Sequence, residues 1–135
     1  MVHIDVEYQG NTRCVLTHES GAKMESCAPK DIGGDGDSFS PTDMVAGGLA
    51  ACILTTIAMW ATRNGLDLSG ATAHVTKEMR TESPRRIGRL ATMVTIPAAA
   101  LPQQYRERAE QIGHMCPVHK SLHPEVDAPI EYVYK

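Results

Sequence analysis

The chain has 135 residues, 42% of them hydrophobic, and a formal net charge of -3 at pH 7. That is the length of one domain with a modest core, and no basic block offers the phosphate contacts that nucleic-acid binding needs. Four scattered cysteines do not make a secreted disulfide framework, and the alternating start MVHIDVEYQG is not a signal peptide, so a reducing, cytoplasmic setting is expected.

Residues 2–8 alternate strictly, with Val2, Ile4, Val6 and Tyr8 facing one way and His3, Asp5 and Glu7 the other, as in a half-buried strand. Gly10-Asn11 turns the chain into a second strand, TRCVLTH, and ESGA turns it into a third, KMESCA. Residues 29–41, PKDIGGDGDSFSP, form a loop long enough to be functional. Its glycines are not a phosphate loop, because no Lys-Ser/Thr follows GGDG and the nearby aspartates would repel phosphate.

Ser40-Pro41 starts a long helix, with serine as N-cap, proline at the first position and Asp43 in the first turn. Residues 44–62 carry no charge and could span a bilayer by length. Gly47, Gly48 and three threonines interrupt them, and the flanks show no basic bias, so a helix buried on nearly every side is expected. So small a monomer could not cover such a helix. Gly47-Gly48 costs helix propensity but lets another helix approach, and a homodimer that shares its core is expected.

ATAHVTKEMRTE and IGRLATMVTIP read as two strands of a hairpin joined by SPRR. Residues 102–115 make an amphipathic helix, CPVHKSLH a short one, and residues 126–134 a closing strand. The order β-β-β-α-β-β-α-α-β is an α+β fold with largely antiparallel pairing, within a single domain over residues 1–135.

The cysteines carry the chemistry. In the long helix Cys52 is either a small core residue or a functional thiol. Cys116 precedes Pro117 at a helix start, where backbone N–H groups favour a thiolate. His114, Cys116, His119 and His123 also suggest a metal site, but one short helix rarely supplies a closed ligand set. If Ser20-Gly21 is a two-residue turn, Cys14 faces Cys27 closely enough for a disulfide; a longer turn separates them.

The Gly/Asp loop, SPTDMVAGGLAAC, the apolar helix and the later CPVHKSL together resemble the OsmC/Ohr family of osmotically inducible and organic hydroperoxide resistance proteins. The resemblance covers nearly the whole chain. It implies an intertwined homodimer in which Cys52 attacks an organic hydroperoxide, Cys116 resolves the sulfenic acid, and an external dithiol, of the lipoyl type or a small thiol, reopens the disulfide. It implies no metal, flavin, haem or other cofactor; from the charge balance and the interrupted helix, neither a nucleic-acid nor a membrane partner is expected. It also implies an arginine beside the thiolate and an acid that holds its fork. Asp43, where the family commonly carries glutamate, is the candidate acid or a first-turn capping charge. Arg13, the only arginine before the helix, is the candidate cation or a solvated strand residue, with Arg85, Arg86 and Arg89 as alternatives. The rival expectation is a non-catalytic protein of the same fold that binds a small apolar ligand or a partner in the dimer cleft.

Overall fold

A computed structural model describes residues 1–135. The chain forms two compact units, Met1–Val45 and Ala46–Lys135.

In the first unit, β1 (Ile4–Gly10), β2 (Arg13–His18) and β3 (Lys23–Ser26) make an antiparallel sheet in that order. The β1–β2 turn is Asn11-Thr12, both at positive φ (52° and 63°). That is the handedness of a two-residue hairpin turn. A β-branched residue is uncommon there; the Thr12 hydroxyl accepts a hydrogen bond from the Ala28 N–H at 3.2 Å.

The β2–β3 turn departs from a two-residue connection. Cys14 pairs with Ser26 and Thr17 with Lys23, while His18 N–H donates to Ala22 O across Glu19-Ser20-Gly21. One more residue in the turn shifts the register by one position, so Cys27 falls beyond the strand and does not face Cys14. All four cysteines are free.

A single 3-10 turn, Lys30–Ile32, sits in the loop before α1 (Pro41–Arg63). Helix α1 is long and apolar enough to cross a membrane by length and composition alone. Its Leu49, Ile53, Ile57 and Ala61 are at most 1% exposed and belong to the core of the second unit. Burying each of the three larger side chains contributes about 1.5–3 kcal/mol. The opposite face is open: Val45, Ala51, Thr55, Met59 and Thr62 are exposed. Within one chain the helix is therefore covered on one face, not on nearly every side.

The second sheet runs β4-β5-β6, from β4 (Thr72–Met79), β5 (Ile87–Ile96) and β6 (Ile130–Tyr134). Leu90, Val94 and Ile96 of β5 pack with α1, Leu101, and Ala109 of α2 (Gln103–Gly113). β4 and β5 form the expected antiparallel hairpin, whereas β6 pairs with β5 in parallel. Two helices, α2 and α3 (Pro117–Ser121), lie between β5 and β6, and such a connection is what a parallel pair needs. β6 is shorter than residues 126–134: Asp127 makes only an isolated bridge to Arg89, and Pro129 has no N–H to donate.

Two β6 tyrosines tie this strand to α2. The Tyr134 hydroxyl donates to Glu110 Oε2 at 3.0 Å and the Tyr132 hydroxyl to Glu110 O at 3.3 Å. Burial first, and the Glu110 carboxylate second, push the Tyr134 phenol up to about 12 and the Tyr132 phenol up as well. A raised folded-state value means that stability is full below the ordinary phenol value, about 10, and is lost as pH rises through the folded one. Chemical denaturation between pH 8 and pH 12 is expected to show falling stability, with a shallower fall in Tyr134→Phe.

Candidate functional site: a buried thiol pair

The start of α1 is a reciprocal cap. The Asp43 N–H donates to Ser40 Oγ at 3.1 Å, the Ser40 N–H donates to Asp43 Oδ2 at 2.9 Å, and Met44 N–H closes the first helical bond on Ser40 O. This is a capping box, with Pro41 at the first helical position where its missing N–H costs nothing. Ser40→Ala is expected to cost about 1 kcal/mol, read as a lower midpoint in thermal or urea unfolding.

Cys52 lies two turns further along α1 and is half-buried; its Sγ is 3.9 Å from the Thr56 hydroxyl. Cys116 arrives from the other end of the unit. It is the N-cap of α3, 0% exposed, and its Sγ accepts the His119 N–H at 3.3 Å. Cys52 is a near enough neighbour for its sulfur to act on the Cys116 thiol, and both thiols are free. Burial pushes the Cys116 thiol up; the His119 N–H pulls against it, and the Cys52 sulfur adds to the rise. Cys52 is thus the more exposed of the two thiols, and burial disfavours the thiolate of Cys116. On α1 beyond Cys52, Trp60 meets Tyr105 of α2 edge-on, with ring centroids 6.0 Å apart.

The histidines beside Cys116 are engaged elsewhere. The His119 ring Nε2 is 3.1 Å from Ala128 O; a carbonyl only accepts, so Nε2 carries the proton. His123 Nδ1 accepts the Glu125 N–H, and the His114 ring stands edge-on to His119 and Tyr132. No three His, Cys, Asp or Glu side chains converge as a metal site.

In the first unit, Arg13 Nη2 lies 2.8 Å from both carboxylate oxygens of Asp37 and 3.1 Å from Asp35 Oδ2. The Arg13 hydrogen bond holds the Asp37 carboxyl below the usual range, and Asp37 raises the guanidinium in turn. Asp37 Oδ1 also accepts the Cys27 thiol at 3.6 Å. Two acids on this arginine thus come from the Gly/Asp loop, and Asp43 caps α1. In the second unit Arg86 is paired with Glu125, and Arg89 with Glu78 and Asp127.

Asp35, Asp37 and Thr56 were not singled out from the sequence. The loop aspartates follow no periodicity, and their only signal was acid density beside an otherwise unmatched Arg13. Thr56 could have been found as the position one helical turn after Cys52.

Comparison with known proteins places this geometry. A protein of Psychrobacter arcticus 273-4, provisionally named an osmotic stress induced and detoxification response protein, shares 34% identity, with 98% of this chain and 96% of that one covered at a TM-score of 0.90. An organic hydroperoxide resistance protein OsmC from Legionella pneumophila covers 98% of this chain and 96% of its own at a TM-score of 0.77 and 19% identity, a likeness of fold. YmaD of Bacillus subtilis (strain 168), an uncharacterized protein, is 33% identical over 66 residues; these are 48% of this chain and 44% of YmaD, less than half its length. The profile of the OsmC-like protein family matches residues 34–131, a span that runs from the Gly/Asp loop through both thiols to β6. The chain belongs to the OsmC-like protein family.

Proposed function

We propose that this protein is a thiol peroxidase that reduces organic hydroperoxides with Cys52 and Cys116. The observation that carries the reading is the thiol pair itself: two free sulfurs from different elements, adjacent, one half-buried and one fully buried. The Legionella protein, named for organic hydroperoxide resistance, and the Psychrobacter protein, named for detoxification, support the same chemistry.

The Cys52 thiolate attacks the outer oxygen of the hydroperoxide. The O–O bond breaks, the alkoxide takes a proton and leaves as the alcohol, and Cys52 becomes a sulfenic acid. Cys116, once deprotonated, attacks that sulfur; the sulfenic oxygen leaves as water and a disulfide forms. An external dithiol restores both thiols by exchange. Arg13, held by Asp37 and Asp35, is the proposed activating cation, and Asp43 remains the family-implied acid alongside them.

A second copy of the chain is part of the proposal. Ile4, Val6 and Tyr8 of β1 are 57%, 60% and 65% exposed, and side chains added at Gly47 and Gly48 would meet nothing within 4 Å. An apolar strand and a small-residue helix face left open support a homodimer; sedimentation at a monomer's mass would remove it. Titration with cumene hydroperoxide followed by non-reducing peptide mapping tests the chemistry. A Cys52–Cys116 disulfide with peroxide consumed is expected, and two free thiols with peroxide remaining would refute it.

One observation favours a second reading. A cavity of about 290 Å³, lined by Leu54, Ala58, Leu68, Val94 and Ile96 among others, opens along α1 beside the core. A small apolar ligand retained there through purification, with hydroperoxide left intact, would mark a binding protein instead.

A further inference from the structure

We propose that the Thr56 hydroxyl is the positioning group of Cys52, held as a donor to its thiolate; this deepens the peroxidase reading and rests on it. Cys52 and Thr56 are one helical turn apart on the same edge of α1, with Sγ and Oγ1 3.9 Å apart, a distance at which sulfur still accepts a hydrogen bond. The helix contains its own comparison. Thr62 turns its hydroxyl onto the carbonyl one turn back, Ala58 O, at 2.9 Å. That is the usual resort of a threonine inside a helix. Thr56 is instead turned towards the Cys52 sulfur.

The chemistry explains the use of a hydroxyl here. A thiolate has no proton to give and only accepts, so Thr56 must be the donor once Cys52 ionises. Of the other helix positions around Cys52, Gly48, Leu49 and Ile53 are apolar and Thr55 is exposed to solvent, while Cys116 is a buried thiol whose ionisation beside a thiolate is opposed. A neutral donor stabilises the anion without placing a second charge on a half-buried helix edge.

The test is site-resolved alkylation of reduced, full-length protein by iodoacetamide across pH 5–9, with Cys52 followed by peptide mass spectrometry. Thr56→Val keeps the shape and removes the donor; its Cys52 alkylation at pH 7 is expected to slow about threefold, with the pH midpoint about half a unit higher than in the wild type. Thr56→Ser keeps the donor and is expected to track the wild type. Thr56→Ala, a second donor-free variant, is expected to follow Thr56→Val. An unchanged profile in a folded donor-free variant, or an equal loss in Thr56→Ser, overturns the proposal. Alkylation needs no peroxide, so a wild type that ignores hydroperoxides would sink the peroxidase reading and leave this measurement standing.

Discussion

Cys52→Ser is expected to abolish consumption of an alkyl hydroperoxide, a loss on the order of a thousandfold or more, because a serine hydroxyl is not ionised at neutral pH and does not open an O–O bond. Cys116→Ser is expected to behave differently. Its Cys52 still reacts once, the sulfenic acid is trapped by dimedone, and no disulfide appears on peptide mapping. With further oxidant the unprotected sulfenic acid proceeds to the sulfinic form. Cys14→Ser is expected to leave consumption at the wild-type rate, because Cys14, paired with Ser26 across β2 and β3, takes no part in the proposed exchange. The order of attack follows from exposure: Cys52 is half-buried, whereas Cys116 is 0% exposed. If Cys116→Ser stopped the first oxidation and Cys52→Ser did not, the two roles would be reversed.

What the sequence announced was local. Ser40-Pro41 followed by Asp43 is a complete helix start within one turn, and the cap formed as read. The alternation of residues 2–8 marked β1, though the strand runs Ile4–Gly10. What it left open was pairing. Whether two or three residues turn at Ser20-Gly21 is a small energetic choice, yet it moves every partner on β3 and decides that Cys14 and Cys27 do not face each other. The parallel seating of β6 beside β5 depends on where α2 and α3 return the chain, which no local pattern encodes. The thiol pair was legible only through the family resemblance; helix position alone left Cys52 as a plausible core residue. The partners of Arg13 were hidden for a different reason, since a glycine-rich loop can aim its aspartates in many directions and only the folded loop selects Asp35 and Asp37.

Gly113→Ala is expected to destabilise the protein although it replaces glycine by the best helix former. Gly113 ends α2, and its φ is not in the left-handed region. On propensity alone alanine would gain up to about 1 kcal/mol. A Cβ there would meet Ile57 Cδ1 at 3.0 Å and Tyr132 Cζ at 3.3 Å, with the Tyr132 hydroxyl nearer still. Neither neighbour gives way easily: Ile57 is 1% exposed, and the Tyr132 hydroxyl is held by Glu110 O. Overpacking of this kind costs about 1–3 kcal/mol, which outweighs the propensity gain and is expected to lower Tm by about 5 °C. Tyr132→Phe alone forfeits one hydrogen bond, about 1 kcal/mol. In the double variant the nearest clash is gone, so the combined loss is expected to fall short of the sum by about 1 kcal/mol. The same contact reaches the chemistry. Cys116 N–H donates to Gly113 O at 3.3 Å, so an α2 pushed away from Ile57 carries the buried sulfur away from Cys52. Gly113→Ala is therefore expected to keep the sulfenic acid step and to slow disulfide closure, and a higher Tm with normal closure would show that the α1–α2 contact has room to spare.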